Sequence, residues 1–149
     1  MVDFVKAFEE GKEAAFKAEN ARKEIDGVFN DLNEQLNGST RGKIRIVREQ
    51  LIEGEDGIFM VHTYPPRYYQ AILAINPTIK KSSKKELARW EPSQIGYPVR
   101  ISWSNVDRSC QDKIALENCL VDVIKDPINA EKMLILIQLT NEPDEVEKK

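Results

Sequence analysis

The chain has 149 residues, of which 41% are hydrophobic and 32% are charged, and its net charge is −3. This length suits one domain, and the apolar share is too high for a wholly disordered chain. The mild negative charge is not typical of a generic DNA-binding protein. The longest strongly apolar run, Met133–Ile137, is too short to span a bilayer. The first residues also lack the apolar segment of a secretory signal, so we expect a cytoplasmic protein without a membrane partner.

Residues 2–36 have the pattern of one long amphipathic helix. Apolar and small residues recur at alternating intervals of four and three, which is the a/d spacing of a heptad repeat. No proline interrupts the segment, and Asn37-Gly38 is typical of a helix C-cap. The positions with this spacing are Phe4, Phe8, Gly11, Ala15, Ala18, Arg22, Ile25, Phe29, Leu32 and Leu36.

The length of this helix, about 52 Å, exceeds the diameter of roughly 38 Å expected for a compact domain of this chain length. Its heptad face can lie on the chain's own sheet, pair with a second copy, or dock on a different protein. Arg22 in the seam costs stability and can fix register. We expect the bulky C-terminal residues to anchor on the sheet, namely Ile25, Phe29, Leu32 and Leu36. The predicted self-association surface is Phe4, Phe8, Gly11, Ala15 and Ala18.

Three strands are predicted in the middle of the chain. Ile44–Leu51 is the first, and Glu53–Gly57 is predicted to form a turn because Asp-Gly is a strong hairpin signal. Ile58–Tyr64 is the second strand, and Tyr68–Ile75 is the third.

The segment after the third strand has the weakest pattern. Ser83 and Glu86 match a capping box, which predicts a short helix over Lys84–Trp90. The next residues, Tyr97–Ser104, alternate between apolar and polar side chains. This alternation predicts a half-buried antiparallel strand.

The last third of the chain is predicted to be helical. Asp107 or Ser109 would cap a helix that ends at Lys125. Pro127 would then open a final helix to about Leu139, although the apolar centre of that segment suits a buried strand equally well.

Both cysteines, Cys110 and Cys119, fall on the first of these two helices. Nine residues separate them by about 13 Å of rise and about half a turn. We therefore expect them on opposite faces and unable to form a disulfide with each other. Reduced thiols suit the expected cytoplasmic location.

Together these elements predict an α+β fold. A long amphipathic helix occupies residues 1–38 as a possible oligomerisation element, and an α+β domain occupies residues 39–141. That domain has a four-stranded, mainly antiparallel sheet and two C-terminal helices. Residues 142–149 are expected to form a flexible acidic tail.

The sequence has a small inventory of catalytic and metal-binding residues. His62 is the only histidine, so a catalytic triad or a Cys–His pair would need it, and nothing places Cys110 beside it. Zinc is not expected, because the histidine and two cysteines are the whole stock of N and S ligands. Glu53, Glu55 and Asp56 lack EF-hand spacing, and no phosphate-binding glycine loop is present. We expect no metal, no cofactor and no enzymatic activity; a carboxylate-dependent hydrolase or transferase stays an alternative.

Two further segments have compositions suited to binding. Residues 80–100 combine basic side chains, which neutralise phosphates, with rings that can stack on bases. Residues 64–69 combine tyrosines with an arginine, as in many protein interfaces. The candidate nucleic-acid or acidic-partner residues are Lys80, Lys81, Lys84, Lys85, Arg89 and Trp90, and the weaker partner contacts are Arg67, Tyr68 and Tyr69.

The leading functional hypothesis is a non-enzymatic protein-interaction module that self-associates through its N-terminal helix. Inhibitor, immunity, adaptor and mobile-element accessory proteins all fit this description. The alternative is a nucleic-acid-binding accessory protein that uses residues 80–100. The expected partners are a second copy of the chain, another protein, or, with weaker support, nucleic acid.

Overall fold

The computed structural model describes residues 1–54, 65–80 and 83–141 of the chain. Within these residues the α+β class, the long N-terminal helix and the two C-terminal helices are confirmed. The elements in chain order are α1 (Phe4–Thr40), β1 (Arg45–Ile52), β2 (Tyr68–Ile75), β3 (Lys85–Ser93), β4 (Gly96–Trp103), β5 (Val106–Cys110), α2 (Lys113–Lys125) and α3 (Pro127–Gln138).

The strands lie side by side in chain order, and each is antiparallel to its neighbour. The sheet has five strands in the described residues, so the prediction of four is wrong in number. β1, β2 and β4 match predicted strands, whereas β3 and β5 have no counterpart in the prediction. The predicted strand Ile58–Tyr64 lies outside the described residues.

β3 takes the place of the helix predicted at Lys84–Trp90. Its side chains favour a helix locally, but such preferences are weak and tertiary context overrides them. Here β2 and β4 pair with β3 on both sides. Leu87 and Ala88 are adjacent and both buried, next to the point where the register with β2 shifts. Pairing and burial therefore decide the conformation of this segment.

β5 occupies residues that the sequence pattern assigns to the start of a helix. A two-residue turn follows β4, because Trp103 pairs with Val106. Ser104 adopts a left-handed backbone conformation in this turn, with φ of 48°. Cys110 therefore ends an edge strand, and its predicted place on a helix is wrong.

The helix α2 begins later than predicted. Asp112, and neither Asp107 nor Ser109, is its N-cap, and the Asp112 carboxylate accepts a hydrogen bond from the Ala115 N–H at 2.8 Å. The shift follows from β5, which uses the preceding residues for strand pairing. The predicted end at Lys125 is confirmed.

The segment after α2 is a helix throughout, which decides between the two predicted conformations. Pro127 stands in the first turn of α3, and Asp126 caps it by accepting from the Asn129 N–H at 3.1 Å. Asn129 is itself buried, and its Nδ2 donates to the Val123 carbonyl oxygen at 2.9 Å. This bond joins the two C-terminal helices.

α1 extends beyond its predicted C-terminal end. Asn37-Gly38 does not stop the helix, which continues to Thr40. The Thr40 hydroxyl donates to the Leu36 carbonyl and accepts from the Ile44 N–H, so this side chain links the last turn to the following strand. Arg41 then adopts a left-handed conformation, with φ of 57°.

The C-terminal half of α1 is anchored in the hydrophobic core, as predicted. Ile25 and Phe29 are buried, and Leu32 and Leu36 pack against the same core as partly buried residues. The core also includes residues of the sheet, α2 and α3, such as Ile72, Ile101, Leu116, Val123 and Leu136.

Candidate interaction surface

The N-terminal part of α1 lies outside the domain. Every residue before Ala18 is exposed, and Ala18 is the first buried residue of the helix, at 7% exposure. About 21 Å of helix therefore projects beyond the rest of the described chain. Asp3 caps this free end by accepting a hydrogen bond from the Lys6 N–H at 3.0 Å.

The β3–β4 turn holds α1 where the helix leaves the domain. Arg22 donates from Nη1 to the Gln94 carbonyl oxygen at 2.6 Å. Gly96 lies against Ala21 so closely that a Cβ at Gly96 would be 2.5 Å from the Ala21 Cβ. The position of the projecting half is therefore set by contacts within the chain, and Arg22 is used in one of them.

Large apolar side chains are exposed along the projecting half. Phe4 is 78% exposed, Phe8 65% and Phe16 60%, and Val5 is also exposed. At 100° per residue, these four and Ala15 fall within an arc of about 120° of the helix surface. We call this arc, with Gly11 at its edge, the projecting apolar face.

Two members of this face, Val5 and Phe16, are absent from the self-association set predicted from the sequence. They fall beside the a/d seam, so the heptad pattern does not select them. The sequence signal that could have identified them is an apolar residue close to the seam. Of the predicted set, Phe4, Phe8, Gly11 and Ala15 lie in the projecting half, whereas Ala18 is covered by the domain.

The two flanks of the projecting apolar face differ in chemistry. On one side lie the small residues Ala7 and Ala14. On the other lies Glu9, which forms an ion pair at 3.4 Å with Lys12 inside the arc, and the Lys12 Nζ lies 5.6 Å from the centre of the Phe8 ring. This pair is exposed and contributes little stability, about 0.3–0.5 kcal/mol.

The basic residues of segment 80–100 do not form one uncompensated patch. Lys84 Nζ contacts both carboxylate oxygens of Glu49, at 3.0 and 2.9 Å. Arg89 pairs with Glu53 at 3.0 Å. Trp90 is only 7% exposed, so its ring is not available to stack on a base.

The other residues predicted to bind nucleic acid or an acidic partner do not lie together. Lys80 is exposed, and its backbone N–H donates to Asn141 Oδ1 at 3.0 Å. Lys85 begins β3 and is partly buried. Lys81 lies outside the described residues.

The structure places Tyr68 and Tyr69, which are predicted partner contacts, beside Arg89. The Arg89 guanidinium lies over the Tyr69 ring at 3.9 Å, and Tyr68 is exposed nearby. Both tyrosines line an open cleft of about 450 Å³ with Arg89 and Glu53. Arg67 reaches this end of the sheet through its carbonyl oxygen, which accepts from the Glu53 N–H at 2.9 Å.

The two cysteines are neighbours, contrary to the prediction that they face apart. Cys110 on β5 and Cys119 on α2 are both buried, and each thiol affects the pKa of the other. Burial raises the pKa of Cys110, and burial and the adjacent thiol raise that of Cys119 to about 12. Such thiols are poor nucleophiles at neutral pH.

His62, Glu55 and Asp56 lie outside the described residues. Among the residues that are described, no three His, Cys, Asp or Glu side chains cluster in a way that could hold a metal ion. None of the helices in that part of the chain combines the length and apolar character needed to cross a bilayer.

Comparisons with known proteins give no relative. No family model, no curated protein and no solved structure matches this chain. The physical character of the projecting apolar face is therefore the main guide to function.

Proposed function

We propose that the protein is a non-enzymatic interaction module that self-associates through the projecting apolar face of α1. The observation that carries this proposal is the exposure of Phe4, Phe8 and Phe16, at 60–78%, on one side of a projecting helix. A helix that projects into water is more stable when its apolar stripe is covered, because helix propensity alone gives only marginal stability at this length. A second copy of the same face provides that cover.

The exposed area is consistent with a weak dimer. The three phenylalanines and Val5 leave on the order of 500 Å² of side-chain surface per copy. Two copies would bury about 1,000 Å², which is below the standard size of specific interfaces and typical of weak complexes. We therefore expect a dissociation constant on the order of micromolar.

The polar side of the projecting half supports self-association over burial in a larger core. Lys6, Glu10, Glu13 and Lys17 all lie opposite the projecting apolar face and are exposed. A helix with one apolar and one charged side covers only the apolar side when it pairs. A single partner helix satisfies this arrangement.

Nucleic-acid binding has less physical support. Two of the basic side chains predicted to bind nucleic acid, Lys84 and Arg89, already form ion pairs with carboxylates, and Trp90 is buried. A phosphate backbone would have to displace Glu49 and Glu53 before it gained these contacts. We therefore favour the protein-interaction function.

Sedimentation equilibrium tests the proposal. The unmodified protein should dimerise in the micromolar range, and the double variant Phe4→Ser/Phe8→Ser should be monomeric at the same concentrations. Because these side chains do not contact the domain, the melting temperature of the monomer should change little. The matched control, Glu10→Ser/Lys17→Ser, changes two exposed residues of the polar side and should dimerise normally.

Two results would contradict the proposal. One is an unmodified protein that stays monomeric at concentrations well above micromolar. The other is a Phe4→Ser/Phe8→Ser variant that dimerises as tightly as the control, because the dimer would then use a different surface.

A further inference from the structure

We infer that the two copies pair antiparallel along their projecting halves, with Phe4 and Phe8 of each copy packed against Ala15 and Gly11 of the other. This inference rests on the proposed self-association and specifies its geometry. It concerns a second copy of this chain as the only occupant of the face.

The first argument is that the domain occupies the seam from Ala18 onward. Ala18 and Ile25 continue the heptad position of Phe4 and Gly11, Phe29 continues that of Phe8 and Ala15, and all three are buried in their own domain. A partner helix running parallel would have to continue along the side that each domain already covers. The two domains would then occupy the same space.

An antiparallel partner avoids this collision. When Phe4 of one copy lies opposite Ala15 of the other, Ala18 lies opposite the partner's first residue. The partner helix therefore ends where the domain begins. The seam is covered from Phe4 to Ala15 in both copies, and the contact is closed by two-fold symmetry.

The second argument is the match of large and small side chains. In the antiparallel register each phenylalanine of the seam meets Gly11 or Ala15, so every layer holds one large and one small residue. In a parallel pair, Phe4 and Phe8 would each meet the same residue of the second copy. Gly11 and Ala15 would each do the same, and a gap would remain between these small residues. Helix pairs pack at 8–10 Å between axes, and uneven layers leave voids that cost stability.

The flank of the face supports the same orientation. Ala7 and Ala14 are seven residues apart on the side that meets its own counterpart in an antiparallel pair. Two alanine flanks let the helices approach closely. In a parallel pair these alanines would lie beside Val5 and Lys12 of the second copy, and the lysine would have no acidic side chain opposite it.

The resulting dimer is a rod with a domain at each end. Two copies of α1 overlapping over their first 18 residues place the two helix C-termini about 90 Å apart. A parallel pair would place them side by side. The antiparallel dimer therefore presents two copies of the sheet in opposite directions.

Cysteine cross-linking on the full chain distinguishes the orientations. Phe4→Cys and Ala15→Cys are prepared as separate variants, and each is oxidised alone and in a 1:1 mixture. We expect disulfide-linked dimers in the mixture, at least tenfold more than in either variant alone. In the antiparallel register, residue 4 of one copy lies about 16 Å along the axis from residue 4 of the other, which is too far for a disulfide.

The native thiols do not interfere, because Cys110 and Cys119 are buried. Lys6→Cys and Glu13→Cys form the matched control pair. These two residues lie at the same level as each other in the proposed register, but on the outer sides of the two helices. Their mixture should give no cross-link above background.

Each outcome has one meaning. Cross-linking of Phe4→Cys with itself and of Ala15→Cys with itself would overturn the antiparallel orientation. A dimer by sedimentation with no cross-link in any sample would overturn the proposed register but leave self-association standing. An unmodified protein that is monomeric would remove both proposals. Small-angle scattering of the unmodified dimer adds an independent check, since a maximum dimension below about 90 Å contradicts the rod.

Discussion

Arg22 donates a hydrogen bond to the carbonyl oxygen of Gln94, which ties α1 to the β3–β4 turn at the point where the helix leaves the domain. The heptad pattern places Arg22 in the seam of the helix, and the structure uses it in a contact within the chain. We predict that Arg22→Ala lowers the free energy of unfolding by about 1 kcal/mol. Urea denaturation measures this loss.

The oligomeric state of Arg22→Ala is expected to be unchanged. Lys23→Ala is the matched control, because the adjacent lysine makes only an exposed pair with Glu19 at 3.4 Å and should cost about 0.3–0.5 kcal/mol. A weaker dimer in the Arg22 variant would show that this side chain contacts the second copy.

Gly96 is required by both its backbone conformation and its neighbour. Its φ of 96° is unfavourable for any side chain, and an added Cβ would overlap the Ala21 Cβ at 2.5 Å. We predict that Gly96→Ala lowers the free energy of unfolding by about 3 kcal/mol, as overpacking and strain combine. Thermal and urea unfolding measure the effect.

Gly27→Ala is the matched control for this substitution. Gly27 lies in the middle of α1 with nothing within 4 Å of an added Cβ. The same change should therefore stabilise the protein there, by about 0.5–1 kcal/mol. A Gly96→Ala variant as stable as the unmodified protein would mean that the turn does not press against α1.

The parts of the fold that the sequence predicts correctly have strong periodic patterns. The heptad spacing of α1 identifies both the helix and its anchoring residues, including Ile25 and Phe29. The alternation in β4 and the Asp126-Pro127 pair at the start of α3 are equally local signals. Local patterns suffice wherever local and tertiary preferences agree.

The missed elements depend on partners far along the chain. β3 contains strong helix formers and becomes a strand only because β2 and β4 lie on both sides. β5 follows a turn at Ser104, a residue that seldom adopts positive φ, and its exposed edge residues lack alternation. The misplacement of Cys110 follows directly from missing β5. The projecting face was partly missed for another reason: Phe16 lies beside the heptad seam.

Tyr97 makes stability depend on alkaline pH. Burial raises its pKa above the ordinary value of 10.0, and so does the hydrogen bond that its hydroxyl donates to Glu24 Oε1 at 2.8 Å. The folded state therefore holds the phenol proton more tightly than the unfolded state. This contribution is complete below pH 10 and is lost as the pH rises towards the folded-state pKa.

We predict that the melting temperature of the unmodified protein falls more steeply above pH 10 than that of Tyr97→Phe. The buried thiols also favour the folded state only while protonated, but they are common to both proteins and cancel in the comparison. Parallel slopes for the two proteins would show that the phenol titrates equally in the folded and unfolded states.

Asn33 joins α1 to the first strand through two hydrogen bonds with Ile46. Its Nδ2 donates to the Ile46 carbonyl oxygen at 2.9 Å, and its Oδ1 accepts from the Ile46 N–H at 2.7 Å. Asn33→Ala would leave both backbone groups without these partners at a partly buried site. We predict a loss of about 2–3 kcal/mol in the free energy of unfolding, because unpaired buried polar groups cost more than a hydrogen bond contributes.

Asn30→Ala is the control for Asn33→Ala, since Asn30 is exposed on the same helix. Alanine has the higher helix propensity, so this variant should be as stable as the unmodified protein or slightly more stable. Asn33→Asp sharpens the test: it keeps an acceptor for the Ile46 N–H but turns a second oxygen towards the Ile46 carbonyl, so it should be at least as destabilising as alanine. Urea denaturation of the three variants checks the order, and an Asn33→Ala variant as stable as Asn30→Ala would show that the two bonds add nothing to the anchoring of α1.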